Sequence, residues 1–386
     1  MTDIYNEARW LALSKFFACD AKKADKLTEH FGSTECLFCA EKDEIMKLDF
    51  LKPEIAEKLY ETIKIEPLEE MGRMSCMGIE FYSRDHPLFP KGLLRINPVP
   101  IGLFVKGSLP SEEHRAIAVV GSRTSSNYGR SCCEMFCREF AKAGIDVISG
   151  MALGIDTAAH EGSLKGGGKT YAVLGCGVDI CYPRSNELLY DELIERGGII
   201  SEFYPGTQPQ SYNFPIRNRI IAGLSDAVLA VEARSRSGTL ITVGCALDQG
   251  KEVFAFPGRI TDKLSEGCNR LISIGASPAL DPKEMIEQIG KLPHRALGEM
   301  TEKEYNTELM KRPVKVFNEG EKVSKIEAEE ARKVFLALGV EPKCIDEISE
   351  STGFDAGRVL EILVSLELEG FIKQAGPCMY VQNITK

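Results

Sequence analysis

Asp146-Val-Ile-Ser149, followed by Gly150-Met-Ala-Leu-Gly154-Ile-Asp156, decides the fold of this 386-residue chain. A four-residue, largely apolar run gives way through two glycines to a helical pattern, Thr157–Lys165. A short apolar run bounded by glycine reads as a strand buried on both faces, and a helix opening behind it reads as half of a βαβ unit. The same unit recurs outward in both directions. Strands are predicted at Ala116–Val120, Thr170–Leu174, Ile199–Ser201, Ala227–Val231 and Glu252–Phe256. Helical patterns of roughly 10–15 residues separate most of them, which predicts a parallel, doubly wound α/β sheet.

Ligands of such sheets bind beyond the carboxyl ends of the strands, where the small and basic residues of this chain collect. Gly121 lets the backbone turn sharply after the first strand, Ser122 caps a helix or bonds an oxyanion, and Arg123 offers a planar fork of donors. Ser149-Gly150 repeats the device, and Ser237-Gly238-Thr239 opens a later helix in the same way. Helix starts rich in free N–H groups are anion sites. Arg184 precedes the Ser185–Arg196 helix, and Arg217 and Arg219 bracket Asn218 in Asn213–Gly223. Two residues apart on a helix those two arginines diverge, whereas on an irregular entry turn both face one groove. The plain structural readings are helix caps for the serines and solvated charge for the arginines. Tyr182 suits stacking on a base or packing beside Pro183. Asp156 suits a helix cap or the orienting of a neighbouring arginine.

Forty-seven Lys and Arg against 57 Asp and Glu give a net charge of −10, so any nucleic-acid contact is a local patch. Thirteen scattered cysteines do not form a disulfide framework and read as reduced thiols. Met1–Trp10 lacks a signal-peptide core, and no run approaches a membrane span, so a cytoplasmic protein is expected. Residues 1–75 read as a helical domain, SAM-like or helix-hairpin-helix-like, with a Phe31-Gly32-Ser33 turn. Pro- and Gly-rich residues 80–110 read as an extended connector. Residues 291–328 lose periodicity and read as a linker. Residues 329–386 read as three helices and a hairpin, a winged-helix pattern. Its third helix, Asp355–Gly370, carries Arg358 against Asp355, Glu361, Glu367 and Glu369, so a protein contact or a regulatory role is expected there rather than a duplex groove.

The motifs Gly121-Ser-Arg123, Ser149 to Asp156, Gly175 to Pro183, Asn213 to Ser225, Val231-Glu-Ala233, Ser237-Gly-Thr239, Pro257-Gly258 and Gly267 to Ile272 come one after another in an order that resembles the DNA-processing protein A family, also called Smf. The resemblance covers about residues 80–280. It implies an extended Rossmann-like core over residues 76–290 that binds single-stranded DNA. It also implies a homodimer, and loading of the RecA recombinase onto DNA coated by single-strand-binding protein during natural transformation. The family's DNA-contacting basic residues fall on Arg123, Arg184, Arg217 and Arg219. Single strands lie in positive grooves, and four phosphate contacts give a salt slope of at most about −2.8 per protomer. Leu264, Leu271 and Ile274 are interface candidates.

The rival readings are a nucleotide-binding Rossmann-like sensor or a nucleotide phosphoribohydrolase-like enzyme. Hydrolases of that kind carry Gly-Gly-x-Gly-Thr-x-x-Glu, but here Thr242 stands at the carboxylate position. Gly175-Cys176-Gly177 lacks the third glycine of a dinucleotide fingerprint, so NAD is not expected. His30, His86, His114, His160 and His294 show no ligand spacing, and Cys36-x-x-Cys39 has no second pair. Neither metal nor cofactor is expected, and the favoured reading is not an enzyme.

Overall fold

The computed structural model describes residues 3–295, apart from 19, 66 and 236, and discontinuous stretches of 325–382. It forms two compact units, Met1–Val314 and Lys315–Lys386. In the first, strands β1 (Glu80–Ser83), β2 (Gly102–Gly107), β3 (Ala116–Val120), β4 (Asp146–Ser149), β5 (Thr170–Val173), β6 (Gly197–Ser201), β7 (Ala227–Ala230), β8 (Glu252–Ala255) and β9 (Ser277–Pro278) form one sheet. Their order is β1-β2-β6-β5-β4-β3-β7-β8-β9. All pairs from β6 to β9 are parallel, whereas β1–β2 and β2–β6 are antiparallel. The fold is therefore the predicted doubly wound α/β sheet. One expectation is corrected: the connector at 80–110 supplies two sheet strands. Its proline and glycine density hides Gly102-Leu-Phe-Val-Lys-Gly107, whose apolar centre pairs with β6 from Phe104↔Ser201 to Gly107↔Gly198.

Alternation along β3 shows why both faces are covered. Ile117 and Val119 point to one face and pack with Cys133, Phe136 and Phe140 of α7 (Asn127–Lys142) and with Ile155 of α8 (Ile155–Lys165). Ala118 and Val120 point to the other. There they meet Ile220 and Ile221 of α10 (Asn213–Gly223) and Val243 of α11 (Gly238–Asp248). Chain order runs β3, β4, β5, β6 in one direction from β3, then returns to place β7 on its other side. The topological switch point thus lies between β3 and β7, where ligands bind in such sheets.

Among the described residues, six helices precede the sheet, from α1 (Ile4–Phe17) to α6 (Pro67–Cys76). Buried Glu7 on α1 accepts hydrogen bonds from Ser83 N (2.9 Å) and Ser83 Oγ (2.6 Å), and Trp10 Nε1 donates to Asp85 (2.7 Å). These bonds tie the helices to β1. In the second unit, α14 (Lys325–Leu338) and α15 (Ile345–Thr352) accompany a three-stranded antiparallel sheet of Lys343–Cys344, Met379–Gln382 and Ile372–Gly376. Arg358, the basic residue of the expected third helix, donates to Glu330 through Nε (2.9 Å) and Nη2 (2.6 Å). The expected linker falls largely outside the described residues, as does much of that third helix.

Candidate functional site

The turns after β3 and β4 interlock, and that explains their glycines. A side chain at Gly121 would stand 2.6 Å from Ile155. Gly154 has φ +83°, and a Cβ there would lie 2.3 Å from the Ser122 carbonyl oxygen. Ile155 N donates to that same oxygen at 3.2 Å. The arrangement lifts Ser122 and Arg123 out of the sheet, leaving Arg123 exposed and Ser122 half-buried.

Beneath them the polar groups are consumed by the protein. Ser149 Oγ donates to Val119 O (2.6 Å). Gly150 N and Ala152 N donate to Asp156 Oδ2 at 3.2 and 3.3 Å. Burial pushes the Asp156 carboxyl up, and the Arg217 guanidinium and these amides pull it back. The expected anion site at Ser149-Gly150 is thus filled by the chain's own carboxylate. Arg217, 4% exposed, donates to Gly150 O (3.1 Å), to Val173 O and to Asn218 Oδ1 (3.2 Å). Burial lowers its pKa to about 10. Arg217 braces the ends of β4 and β5 and still lines the cleft above them.

Glu232, the other carboxylate at this level, is also committed. It accepts from Ser126 N (2.9 Å) and Ser126 Oγ (2.5 Å), at the cap of α7, where a carboxylate suits the helix dipole. Ser237 caps α11 by accepting from Thr239 N (3.0 Å). His160 lies sealed between α8 and the sheet, its Nδ1 2.7 Å from Thr170 Oγ1. Thr170 Oγ1 itself donates to Val147 O, so Nδ1 carries the proton in that contact. Burial, with Arg217 nearby, lowers the His160 pKa to about 3. A neutral imidazole held away from the cleft is no acid or base for it.

A cleft of about 640 Å³ opens over the switch point. It gathers Ser122, Arg123, Thr124, Arg217, Ser237 and Gly238 among its walls. Two cleft-lining groups escaped the sequence reading. Arg234 is exposed at the turn before Ser237, and its place just ahead of a Ser-Gly helix start was the available signal. Phe214 receives the Arg123 guanidinium 5.1 Å from its ring centre, a cation–π contact. Tyr182 stacks on the same ring at 5.8 Å and 29°.

Arg219 and Arg184 stand apart from the cleft walls. Arg219, expected at the groove, is buried and forms a bidentate pair with Glu202, Nη1–Oε1 2.7 Å and Nη2–Oε2 2.6 Å. The helical reading of Asn213–Gly223 prevails, so Arg217 and Arg219 diverge, and a buried carboxylate meets the second. Arg184 is exposed on the 3-10 turn Arg184–Asn186, two residues beyond Tyr182. Among the interface candidates, Leu271 belongs to the core (7% exposed), Leu264 is half-buried and Ile274 is 66% exposed. No helix among the described residues is long and apolar enough to cross a membrane.

A family model described as DNA recombination-mediator protein A matches residues 80–290, and a DprA winged helix domain model matches residues 322–376. Protein Smf of Escherichia coli is 45% identical over 206 residues, which are 53% of this chain and 55% of Smf. The chain therefore spans about half the length of that relative. The X-ray structure of DNA processing protein A from Streptococcus pneumoniae shares 34% identity at TM-score 0.64, covering 75% of this chain and 99% of that one. DNA processing protein A from Helicobacter pylori, solved for its single-stranded DNA binding mode, shares 27% identity at TM-score 0.51, covering 55% of this chain and 96% of that one. With the family model spanning more than half of its residues, including the whole cleft just described, this chain belongs to the DNA recombination-mediator protein A family.

Proposed function

We propose that the chain is a single-stranded-DNA-binding recombination mediator that holds the strand in the switch-point cleft. One observation carries the reading. On an acidic molecule, the cleft walls bear Arg123, Arg217 and Arg234, while the one acidic member among their described residues, Asp156, is spent on backbone amides. That is a local positive rim with the Ser122 hydroxyl and the helix start at Ser237-Gly238, suited to phosphates in sequence. Ser149, Gly150 and Arg217 hold the rim from below, Arg184 extends it past Tyr182, and Arg219 acts in the scaffold. The single-strand binding of the Helicobacter pylori relative supports the ligand. In full the reading is a cytoplasmic homodimer that loads RecA onto strands coated by single-strand-binding protein during natural transformation. It needs no cofactor and catalyses no reaction. The pairing of Arg358 with Glu330 supports a protein contact for the winged helix.

Fluorescence anisotropy with a labelled oligonucleotide, titrated against salt, tests this. Exposed Arg123, Arg184 and Arg234 predict a slope near −2 per protomer, about 0.7 for each. Arg123→Glu is expected to weaken binding equally for dT, dA and mixed strands, because phosphate contacts carry no base information. Wild-type affinity in that variant removes Arg123 from the groove and the proposal with it. Displacement by AMP in preference to unlabelled strand favours the sensor or phosphoribohydrolase-like reading instead.

A further inference from the structure

Asn186 stands at the N-cap of α9 (Glu187–Arg196), where an asparagine ordinarily accepts a hydrogen bond from the first turn of its own helix. Its side chain makes no such bond. Asn186 is 7% exposed, and its Nδ2 donates instead to Met151 O (3.0 Å) and to Thr157 Oγ1 (3.0 Å). Both bonds run away from α9, one to the connection between β4 and α8 and one to the first turn of α8. Helix capping therefore does not account for this side chain.

The carbonyl it holds belongs to an unusual residue. Met151 is fully buried and is the one non-glycine among the described residues with a positive φ (+57°). Such a backbone persists only where its surroundings fix it. Thr157 carries the linkage onward, because its Oγ1 donates to Ala152 O (2.8 Å) and its N–H donates to the same carbonyl (3.2 Å). Two residues beyond Ala152, Gly154 packs against Ser122 O, which accepts from Ile155 N beside Arg123. At the other end, Asn186 N donates to Pro183 O (3.0 Å) and closes the turn that carries Arg184. A run of hydrogen bonds and close contacts thus joins the Arg184 turn to the Arg123 turn. The Arg123 turn has further supports of its own in the Ile155 bond and the Asp156 carboxylate, whereas the Arg184 turn reaches this layer through the Asn186 side chain.

Resting on the single-strand reading, we infer that Asn186 is a positioning residue for that strand: it fixes the Arg184 turn against the Arg123 turn, so that the two guanidinium groups meet phosphates at a set spacing. Asn186 is too buried to be the contact itself. Its contribution is to hold Arg184 in place before the strand arrives, which spares each binding event the cost of ordering that turn. Without the two Nδ2 bonds, Arg184 sits on a looser turn and its phosphate contact is lost.

The test uses the full chain and labelled oligo-dT, with anisotropy titrated against salt for the wild type, Arg184→Ala, Asn186→Ala and the double variant. Each is measured at a temperature where circular dichroism shows it folded. Asn186→Ala is expected to weaken binding roughly 2- to 30-fold, the range for a residue that acts through another. Its salt slope is expected to fall to the Arg184→Ala value, about 0.7 below the wild type in magnitude, which is the share of one phosphate. In the Arg184→Ala background the same substitution is expected to change neither affinity nor slope, because the group it positions is gone. A merely structural role moves neither the slope nor this coupling. Asn186→Ser keeps a good helix cap on an arm too short to reach both acceptors. It is expected to behave as the alanine variant does, and it replaces that variant if alanine does not fold. Wild-type binding in Asn186→Ser, an unchanged slope in Asn186→Ala, or additive losses in the double variant overturn the positioning role while strand binding stands. Wild-type affinity and slope in Arg184→Ala overturn it too, since nothing is left to position. If the wild type does not bind oligo-dT, the single-strand reading itself fails.

Discussion

Replacing Arg219 by alanine is expected to damage the fold and spare the DNA site. Arg219 makes two bonds to Glu202 and donates to Pro98 O through Nε (3.1 Å) and to Ile216 O through Nη1 (3.1 Å). The side chains are 9% and 1% exposed. Alanine leaves the Glu202 carboxylate without its counter-charge and takes the side-chain donor from the Pro98 and Ile216 carbonyls. Breaking one side of a buried pair costs about 3–5 kcal/mol. For a domain of this size that is a fall in melting temperature of roughly 6–20 °C. Circular dichroism melts measure the fall, and anisotropy at a temperature where both proteins are folded measures binding. Binding per folded molecule is expected to be unchanged. The double variant Arg219→Met with Glu202→Leu is expected to recover most of the stability, because an apolar pair of similar volume often replaces a buried ion pair at little cost. An Arg219→Ala protein that melts like the wild type yet loses the strand refutes the assignment of Arg219 to the scaffold.

Two further predictions concern the layer under the cleft. His160 has a folded pKa of about 3, below its unfolded value of 6.5, so the unfolded chain takes up the proton first. Its contribution to stability is complete above pH 6.5 and is lost toward pH 3 at about 1.4 kcal/mol per pH unit. In urea titrations the wild type should therefore lose stability relative to His160→Gln with that slope as pH falls below 6.5, and a constant difference across the range contradicts the burial argument. Gly154→Ala combines a left-handed backbone with a Cβ 2.3 Å from the Ser122 oxygen, for a loss of about 1–3 kcal/mol or more. Gly206→Ala shares the positive φ (+85°) but meets nothing within 4 Å, so it is expected to cost less, and equal costs for the two variants discount the interlocked turns.

Strand positions were legible in the sequence because a parallel strand covered on both faces must be apolar throughout. Ala116–Val120, Asp146–Ser149 and Ala227–Ala230 therefore announce themselves without reference to their neighbours. The same holds for Gly121-Ser122-Arg123, whose chemistry depends only on its place at a strand end. The edge strand Glu80–Ser83 and its neighbour Gly102–Gly107 were not legible, since antiparallel pairing needs no long apolar run and prolines and glycines surround them. The roles of the arginines belong to the tertiary structure. Arg123 stands in the turn after β3 and Arg217 and Arg219 on α10, the same residue type at one end of the sheet, yet one is exposed, one braces carbonyls and one is paired. What separates them is the position of Asp156 and Glu202, remote in sequence and brought near by sheet order. A guanidinium stays available to a ligand only where the fold leaves no carboxylate or carbonyl beside it, and local sequence carries no record of which distant groups will arrive.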